Sequence, residues 1–184
     1  MQIVKFAPSI LGLSLKKELT DRTTSEIVGI SNWRMAGVGQ NAEARIDRRI
    51  RNTDLYIPPP ASSFDDLCLK VFGEGLQSYL SAENTYAAAG TQLTDEGYSV
   101  LRYTEGQNYK QHADSSFDSS RVISSVLFVN DDFTGGQLEF PNFEVTVTPK
   151  PGLMLFFPSC YAYSHVVHPV TSGTRYSIVT WFNQ

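Results

Sequence analysis

Hydrophobic positions repeat with two different periods along this chain, and the change of period separates a helical part from a sheet part. After three prolines at 58–60, apolar residues recur at the spacing of a helix face, and Ser62 or Ser63 can cap the segment. This pattern predicts a helix over roughly 64–82. The positions on its apolar face are Phe64, Leu67, Val71, Leu76, Tyr79 and Leu80.

From about residue 97 the pattern becomes that of short strands, rich in β-branched and aromatic residues and separated by turn residues. Many short strands with frequent turns are typical of a sandwich or barrel. We therefore expect an α+β fold with a jelly-roll core (a double-stranded β-helix) over 97–184 and supporting N-terminal helices within 1–96, forming one domain over 1–184. The predicted strands are 98–103, 122–129, 137–140, 144–148, 153–157, 164–167 and 175–182.

The composition agrees with a globular protein, because 41% of the 184 residues are hydrophobic and 12% are aromatic. The formal net charge of −4 disfavours a dedicated nucleic-acid partner. A local basic cluster, interpreted as a solvated face or a set of ion pairs rather than an anion site, comprises Arg45, Arg48, Arg49 and Arg51.

The cysteine content and the N-terminus bear on location. Cys68 and Cys160 form no paired framework, so we expect both to be buried thiols in a reducing compartment. Lys5 and Pro8 interrupt the apolar start, which disfavours a signal peptide, and no segment has the length of a membrane span. These features predict a cytoplasmic protein with no membrane partner.

The candidate chemistry lies in the sheet part. His112 and Asp114 are two residues apart, so on a strand both side chains point to one face. A second imidazole, from His165 or His168, would complete the two-histidine, one-carboxylate set that binds non-haem Fe(II) and leaves coordination positions open. Arg175 offers a planar cation for a carboxylate. Together these residues suggest a 2-oxoglutarate-dependent oxygenase, although spacing alone does not choose between the two histidines.

Four segments in order resemble the motifs of the prolyl 4-hydroxylase family of Fe(II)/2-oxoglutarate-dependent dioxygenases, over about residues 97–184. They are YTEGQNYKQHAD at 103–114, GGQLEF at 135–140, VTPKPGLMLFF at 147–157 and HVVHPVTSGTRY at 165–176. In that family the second histidine ligand stands four residues before the proline, which selects His165 over His168.

The resemblance implies roles for individual residues. The metal ligands would be His112, Asp114 and His165, and the residues that bind 2-oxoglutarate would be Arg175, Tyr103 and Ser177. The residues that contact a substrate proline or its peptide backbone would be Tyr109, Arg121 and Trp181. The family also implies Fe(II), 2-oxoglutarate and O2, with ascorbate as an accessory reductant.

One position departs from the family pattern. Phe128 stands where relatives commonly carry a tyrosine that helps to bind the cosubstrate, so that contact must be lost or replaced, for instance by Tyr103.

The resulting hypothesis is hydroxylation of prolyl residues in a protein or peptide, with release of succinate and CO2. The same chemistry on a free amino acid or a nucleic acid is an alternative. A zinc hydrolase is disfavoured because the sequence has no HExxH motif to supply a general base. A non-catalytic jelly-roll binding domain is a further alternative, in which the histidines and the carboxylate are ordinary polar strand residues.

Overall fold

The structure, a computed structural model, describes residues 2–38, 45–83, 92–116 and 119–184. It consists of short antiparallel strands with two α-helices in the N-terminal half. In chain order the elements are β1 (Gln2–Ala7), β2 (Ile10–Ser14), α1 (Lys17–Val28), β3 (Arg34–Met35), β4 (Arg51–Asn52), β5 (Asp54–Tyr56), α2 (Ser63–Glu83), β6 (Thr94–Asp95), β7 (Ser99–Tyr103), β8 (Asn108–His112), β9 (Arg121–Phe128), β10 (Thr134–Gly135), β11 (Leu138–Phe140), β12 (Val145–Val147), β13 (Leu153–Pro158), β14 (His165–Val167), β15 (Val170–Ser172) and β16 (Arg175–Asn183).

The strands form a large sheet, a small sheet and a short two-stranded ribbon. The large sheet has the order β1-β2-β13-β9-β16-β7-β5-β3, with β6 paired to β16. The small sheet has the order β12-β11-β14-β8-β4, and the ribbon pairs β10 with β15. This arrangement confirms the expected α+β fold with a double-stranded β-helix core. Strands from the N-terminal half extend both sheets, since β5 pairs with β7 and β4 pairs with β8.

The central strands of the large sheet are buried on both faces. On β13, Met154 and Phe156 belong to a core shared with the helices, whereas Leu155 and Phe157 belong to a second core shared with the small sheet. Successive side chains on a strand point to opposite faces. A strand buried on both faces therefore reads as a continuous apolar run, which is why 153–157 shows no alternation.

Helix α2 confirms the predicted segment to within a residue at each end. The Ser62 Oγ accepts a hydrogen bond from the Asp65 N–H at 3.2 Å, and an Asp65 carboxylate oxygen accepts one from the Ala61 N–H at 2.9 Å. These bonds satisfy backbone donors at the start of the helix. Within the described residues, neither helix is long and apolar enough to cross a membrane.

Other features of the N-terminal half and the cysteines were less visible in the sequence. Helix α1 buries only Thr23 and Ile27 among its described side chains, so it has little apolar periodicity. Strand β1 is an exposed edge with no buried residue. Cys68 is buried as expected, but the expectation for Cys160 is wrong because its side chain is exposed.

We expect two glycines of α2 to respond oppositely to alanine substitution. A Cβ at Gly75 would lie 2.8 Å from the Met154 sulfur and 2.9 Å from the Phe156 ring, whereas a Cβ at Gly73 would meet no described atom within 4 Å. Gly75→Ala should lower the free energy of unfolding by roughly 1–3 kcal/mol through overpacking. Gly73→Ala should raise it by up to about 1 kcal/mol through helix propensity. Urea denaturation measures both, and equal responses would contradict packing of α2 on β13 through Gly75.

Candidate metal centre

Several polar side chains interrupt the apolar space between the two sheets and line one cavity there. The space between its walls, including a part that is open solvent, is about 440 Å³. Its polar lining comes from the large sheet through β7, β9 and β16, and from the small sheet through β4, β8, the residues after β8, and β14. The polar residues that line it are Arg51, Tyr103, Tyr109, His112, Asp114, Ser125, His165, Arg175, Ser177 and Trp181.

Three of these side chains converge on one point. His112 ends β8, His165 begins β14, and the two are direct partners in the antiparallel pairing. The distance from His112 Nε2 to Asp114 Oδ1 is 3.6 Å, and from His165 Nε2 to Asp114 Oδ2 it is 3.8 Å. One ligand atom from each residue lies within 4.8 Å of the other two, so the group could hold a metal ion.

Hydrogen bonds to the backbone orient both imidazoles. The Nδ1 of His112 lies 2.8 Å from the carbonyl oxygen of Lys110, and the Nδ1 of His165 lies 3.1 Å from that of Tyr163. A carbonyl can only accept, so Nδ1 carries the proton in each ring and Nε2 of a neutral imidazole presents its lone pair. This is the second-shell arrangement that metal-binding histidines commonly show.

The electrostatics of the group favour the ligand forms. Burial lowers the pKa of His165 to about 4, against an opposing effect of the Asp114 carboxylate. Burial alone would raise the pKa of Asp114, but the imidazoles of His165 and His112 and the Ser124 hydroxyl hold it well below its ordinary value. At neutral pH the group therefore offers a neutral imidazole and a carboxylate, the forms that bind cations.

A bulge in β8 shapes this side of the cavity. His165 pairs with His112, while Val167 pairs with Tyr109, so β8 advances three residues where β14 advances two. In a regular strand, residues three apart face opposite sides. The extra residue brings Tyr109 and His112 to the same side, where their rings stack with centroids 3.5 Å apart and planes at 14°.

His168 lies outside this group. Its Nε2 is 2.6 Å from a carboxylate oxygen of Glu139, and both side chains are partly exposed. The structure therefore brings His165, and not His168, together with the other two candidate ligands.

Arg175 lies at the closed end of the cavity and is 1% exposed. Its guanidinium carbon is 4.9 Å from the Tyr103 ring centroid and 5.2 Å from that of Phe128, and its Nη1 donates to the Ser177 hydroxyl at 3.3 Å. Its Nε finds no hydrogen-bond partner among the residues that the structure describes. Burial lowers the pKa of Arg175, although an arginine keeps its proton at neutral pH.

The glycine pair of the 135–140 segment makes room for this cation. Gly136 has a φ of +64°, which disfavours any residue with a Cβ. A Cβ at Gly136 would lie 2.9 Å from Cδ of Arg175. The lack of a Cβ at Gly136 therefore leaves room for the side chain of Arg175.

The three predicted substrate residues line an outer groove that continues the cavity to the surface. The Arg121 guanidinium carbon lies 3.8 Å from the centroid of Trp181, and its Nε donates to a Glu96 carboxylate oxygen at 2.8 Å. Its Nη1 donates to the backbone carbonyl of Asp114 at 3.2 Å. Tyr109 and Trp181 line both the groove and the cavity.

Arg51 is the site residue that the sequence analysis missed. Arg49 makes the expected exposed ion pair with Asp47, but Arg51 lines both the cavity and the outer groove, and its guanidinium carbon lies 4.8 Å from the Tyr109 ring centroid. No pattern in the sequence distinguishes Arg51 from the other arginines of the basic cluster. Only the pairing of β4 with β8 places it beside Tyr109.

The chain resembles known proteins in sequence and in fold. Residues 98–183 match the sequence model of the 2OG-Fe(II) oxygenase superfamily. A protein of Acanthamoeba polyphaga mimivirus named "Putative prolyl 4-hydroxylase" is 32% identical over an alignment of length 109, which covers 48% of this chain and 45% of that protein. This chain therefore spans less than half the length of the curated relatives it matches.

Two solved structures share the fold over nearly the whole chain. A Pseudomonas putida prolyl-4-hydroxylase has a TM-score of 0.72 at 21% identity and covers 97% of this chain and 94% of its own. A Trichoplax adhaerens prolyl hydroxylase, in complex with a hypoxia inducible factor oxygen degradation domain peptide fragment, has a TM-score of 0.72 at 20% identity, with coverages of 96% and 84%.

The family match lies over the part of the chain that contains the resembling motifs and the converging ligands. Over residues 98–183 the chain is similar to the 2OG-Fe(II) oxygenase superfamily, and this match confirms the predicted resemblance to prolyl hydroxylases of that kind.

Proposed function

We propose that this protein is an Fe(II)- and 2-oxoglutarate-dependent dioxygenase that hydroxylates prolyl residues in a protein or peptide. The observation that carries the proposal is one cavity with a two-histidine, one-carboxylate group in its wall and an under-bonded arginine at its closed end. We further propose that 1–184 acts as one domain, because strands of the N-terminal half extend both sheets.

The residues present fit an iron ion. We propose His112, Asp114 and His165 as its ligands, because two imidazole lone pairs and a carboxylate face each other and a cation would stabilise that arrangement. When bound, Fe(II) and 2-oxoglutarate supply the oxidising chemistry, which converts the cosubstrate and O2 to succinate and CO2 and places one oxygen atom in a substrate C–H bond.

The protein's part is to bind, orient and exclude water. We propose that Arg175 binds the distal carboxylate of 2-oxoglutarate through donors that include its unpaired Nε. Tyr103 and Ser177 are proposed to add hydroxyl donors, since both are buried against that guanidinium. Phe128 can contribute only its ring, so the anchor of this chain relies on these three residues.

Substrate recognition is proposed for the outer groove. Tyr109, Trp181 and Arg121 offer aromatic surface and a guanidinium, which suit a proline ring flanked by peptide carbonyls. Two relatives are named as prolyl hydroxylases of different regiochemistry, at carbon 4 and carbon 3, and one similar structure holds a peptide. We therefore propose a proline-containing peptide and leave the hydroxylated carbon to experiment. The cytoplasmic location stays a prediction.

Substitution of the two candidate histidines tests the metal site. We expect anaerobically iron-loaded wild type to form succinate from 2-oxoglutarate and O2, with ascorbate present. His165→Ala should abolish turnover and stoichiometric Fe(II) binding, because it removes one of three ligands. His168→Ala, a matched control on the same segment, should keep both. If the wild type bound no iron, the oxygenase proposal would be rejected in favour of a non-catalytic binding domain. Turnover in His165→Ala would overturn the assignment of His165 as a ligand.

Arg175→Met should separate cosubstrate binding from stability. We expect the KM for 2-oxoglutarate to rise by roughly 10–100-fold, because a charge-assisted pair is lost. Without cosubstrate, the free energy of unfolding of the variant should equal that of wild type or exceed it by up to about 1 kcal/mol, because an apolar side chain replaces a buried guanidinium. Thermal unfolding with and without 2-oxoglutarate measures both effects. A ligand-induced stabilisation that persists in Arg175→Met would refute the anchor.

A substrate panel distinguishes the remaining alternatives. We expect proline-containing peptides to stimulate succinate formation and to gain one oxygen atom by mass spectrometry, and matched peptides with alanine for proline to do neither. Trp181→Ala should raise the KM for the peptide while preserving peptide-independent 2-oxoglutarate turnover. Stimulation by free amino acids or by single-stranded nucleic acid instead would keep the oxygenase and reject the peptide substrate.

A further inference from the structure

The two candidate histidine ligands are held in place by different surroundings. His165 is 4% exposed and lies against two buried rings, with centroid distances of 5.0 Å to Phe157 and 5.6 Å to Phe140. The His112 side chain is 14% exposed and lies at the solvent side of the group. The core therefore confines the first imidazole on several sides, whereas the second has a more open position.

A backbone hydrogen bond alone leaves His112 incompletely fixed. The bond from Nδ1 to the Lys110 carbonyl sets which nitrogen carries the proton. The torsion that turns the imidazole plane is broad, because it joins a tetrahedral carbon to a planar ring. A further contact on the face of the ring would hold Nε2 directed at the metal position more firmly than the hydrogen bond alone.

Tyr109 supplies a surface for that ring. Its ring stacks on His112 with centroids 3.5 Å apart and planes at 14°, which is close parallel contact. The bulge in β8 makes this contact possible, since it brings two residues three apart to one side of the strand.

Arg51 in turn holds Tyr109. Its guanidinium carbon lies 4.8 Å from the Tyr109 centroid. Because His112 already covers one face of the phenol ring at contact distance, the guanidinium occupies the other face. Arg51 and Tyr109 are also direct partners in the pairing of β4 with β8, and Nη1 of Arg51 donates to the Gly37 carbonyl at 3.1 Å. The result is an ordered stack of Arg51, Tyr109 and His112.

We propose that Arg51 and Tyr109 are positioning residues for the metal centre: the guanidinium clamps the phenol ring, and the ring fixes the plane of the His112 imidazole. This role rests on the proposed metal site and goes beyond the substrate contact suggested for Tyr109. It also assigns a function to Arg51. Within the described residues, no hydrogen bond or ring contact joins Arg51 to the other two candidate ligands, Asp114 and His165.

The proposal is tested on purified apo-protein by titration with Fe(II) under anaerobic conditions and with Co(II), whose visible spectrum reports ligand geometry. The variants are Arg51→Met, Arg51→Lys, Tyr109→Leu and Tyr109→Phe. Arg49→Met is the matched control, since that side chain is 90% exposed two residues away. Thermal unfolding of each apo-variant shows whether the fold is retained.

We expect Arg51→Met and Tyr109→Leu to weaken metal binding by about ten-fold, the lower end of second-shell effects, and to alter the Co(II) spectrum. Arg51→Lys and Tyr109→Phe should keep much of the wild-type metal affinity, because an ammonium group and a phenyl ring preserve the stack. Unchanged affinity and spectrum in Arg51→Met would overturn the positioning role, even if the peptide KM rises. Wild type that binds no metal would instead reject the proposed function itself.

Discussion

A charged guanidinium in the apolar space between two sheets is the constraint on which the rest of this structure depends. Burying a cation costs several kcal/mol unless partners compensate it. Arg175 is 1% exposed, and its Nε remains without a described partner. Two aromatic rings and one hydroxyl surround it, and Gly136 leaves space for its chain. Burial of Arg175 thus destabilises the ligand-free fold, and a bound anion would compensate this cost by pairing with the guanidinium.

The metal side of the cavity shows the same principle with opposite charge. Asp114 lies between two imidazoles whose Nδ1 atoms are engaged by backbone carbonyls, so the atoms that converge are acceptors. Such a group is satisfied by a cation. A cluster of acceptors and a buried guanidinium in the walls of one cavity are the features that support the proposed binding of a chelating dicarboxylate beside a metal ion.

The outer groove differs at Arg121, because the charge of this side chain is already paired. Arg121 contacts the Glu96 carboxylate and the Trp181 ring before any substrate binds. A groove with preformed pairs and exposed aromatic surface suits a neutral ligand such as a proline ring and its peptide bonds better than a charged one. This distinction agrees with the proposal that the buried end of the cavity binds the acidic cosubstrate and that the groove binds the peptide.

Much of the fold and the candidate site could be predicted from sequence because the relevant signals are local. Periodicity located α2 and most strands of the core, but not β8. The two-residue spacing predicted that His112 and Asp114 share a strand face, whereas β8 ends at His112 and Asp114 follows it. Motif order selected His165, and the structure keeps His168 with Glu139 instead. The sequence pattern did not predict helix α1 and strand β1, because they bury few apolar side chains. Cys160 is exposed, contrary to the prediction.

The sequence by itself determined which residue types are available for iron and a dicarboxylate, and which runs become strands buried on both faces. Only the tertiary structure decided that Arg51 belongs to the site and that Tyr109 stacks on His112. Both depend on pairing between strands far apart in the chain and on a bulge that changes which side chains share a face. Strand register arises from long-range hydrogen bonding and packing, so no local pattern carries it.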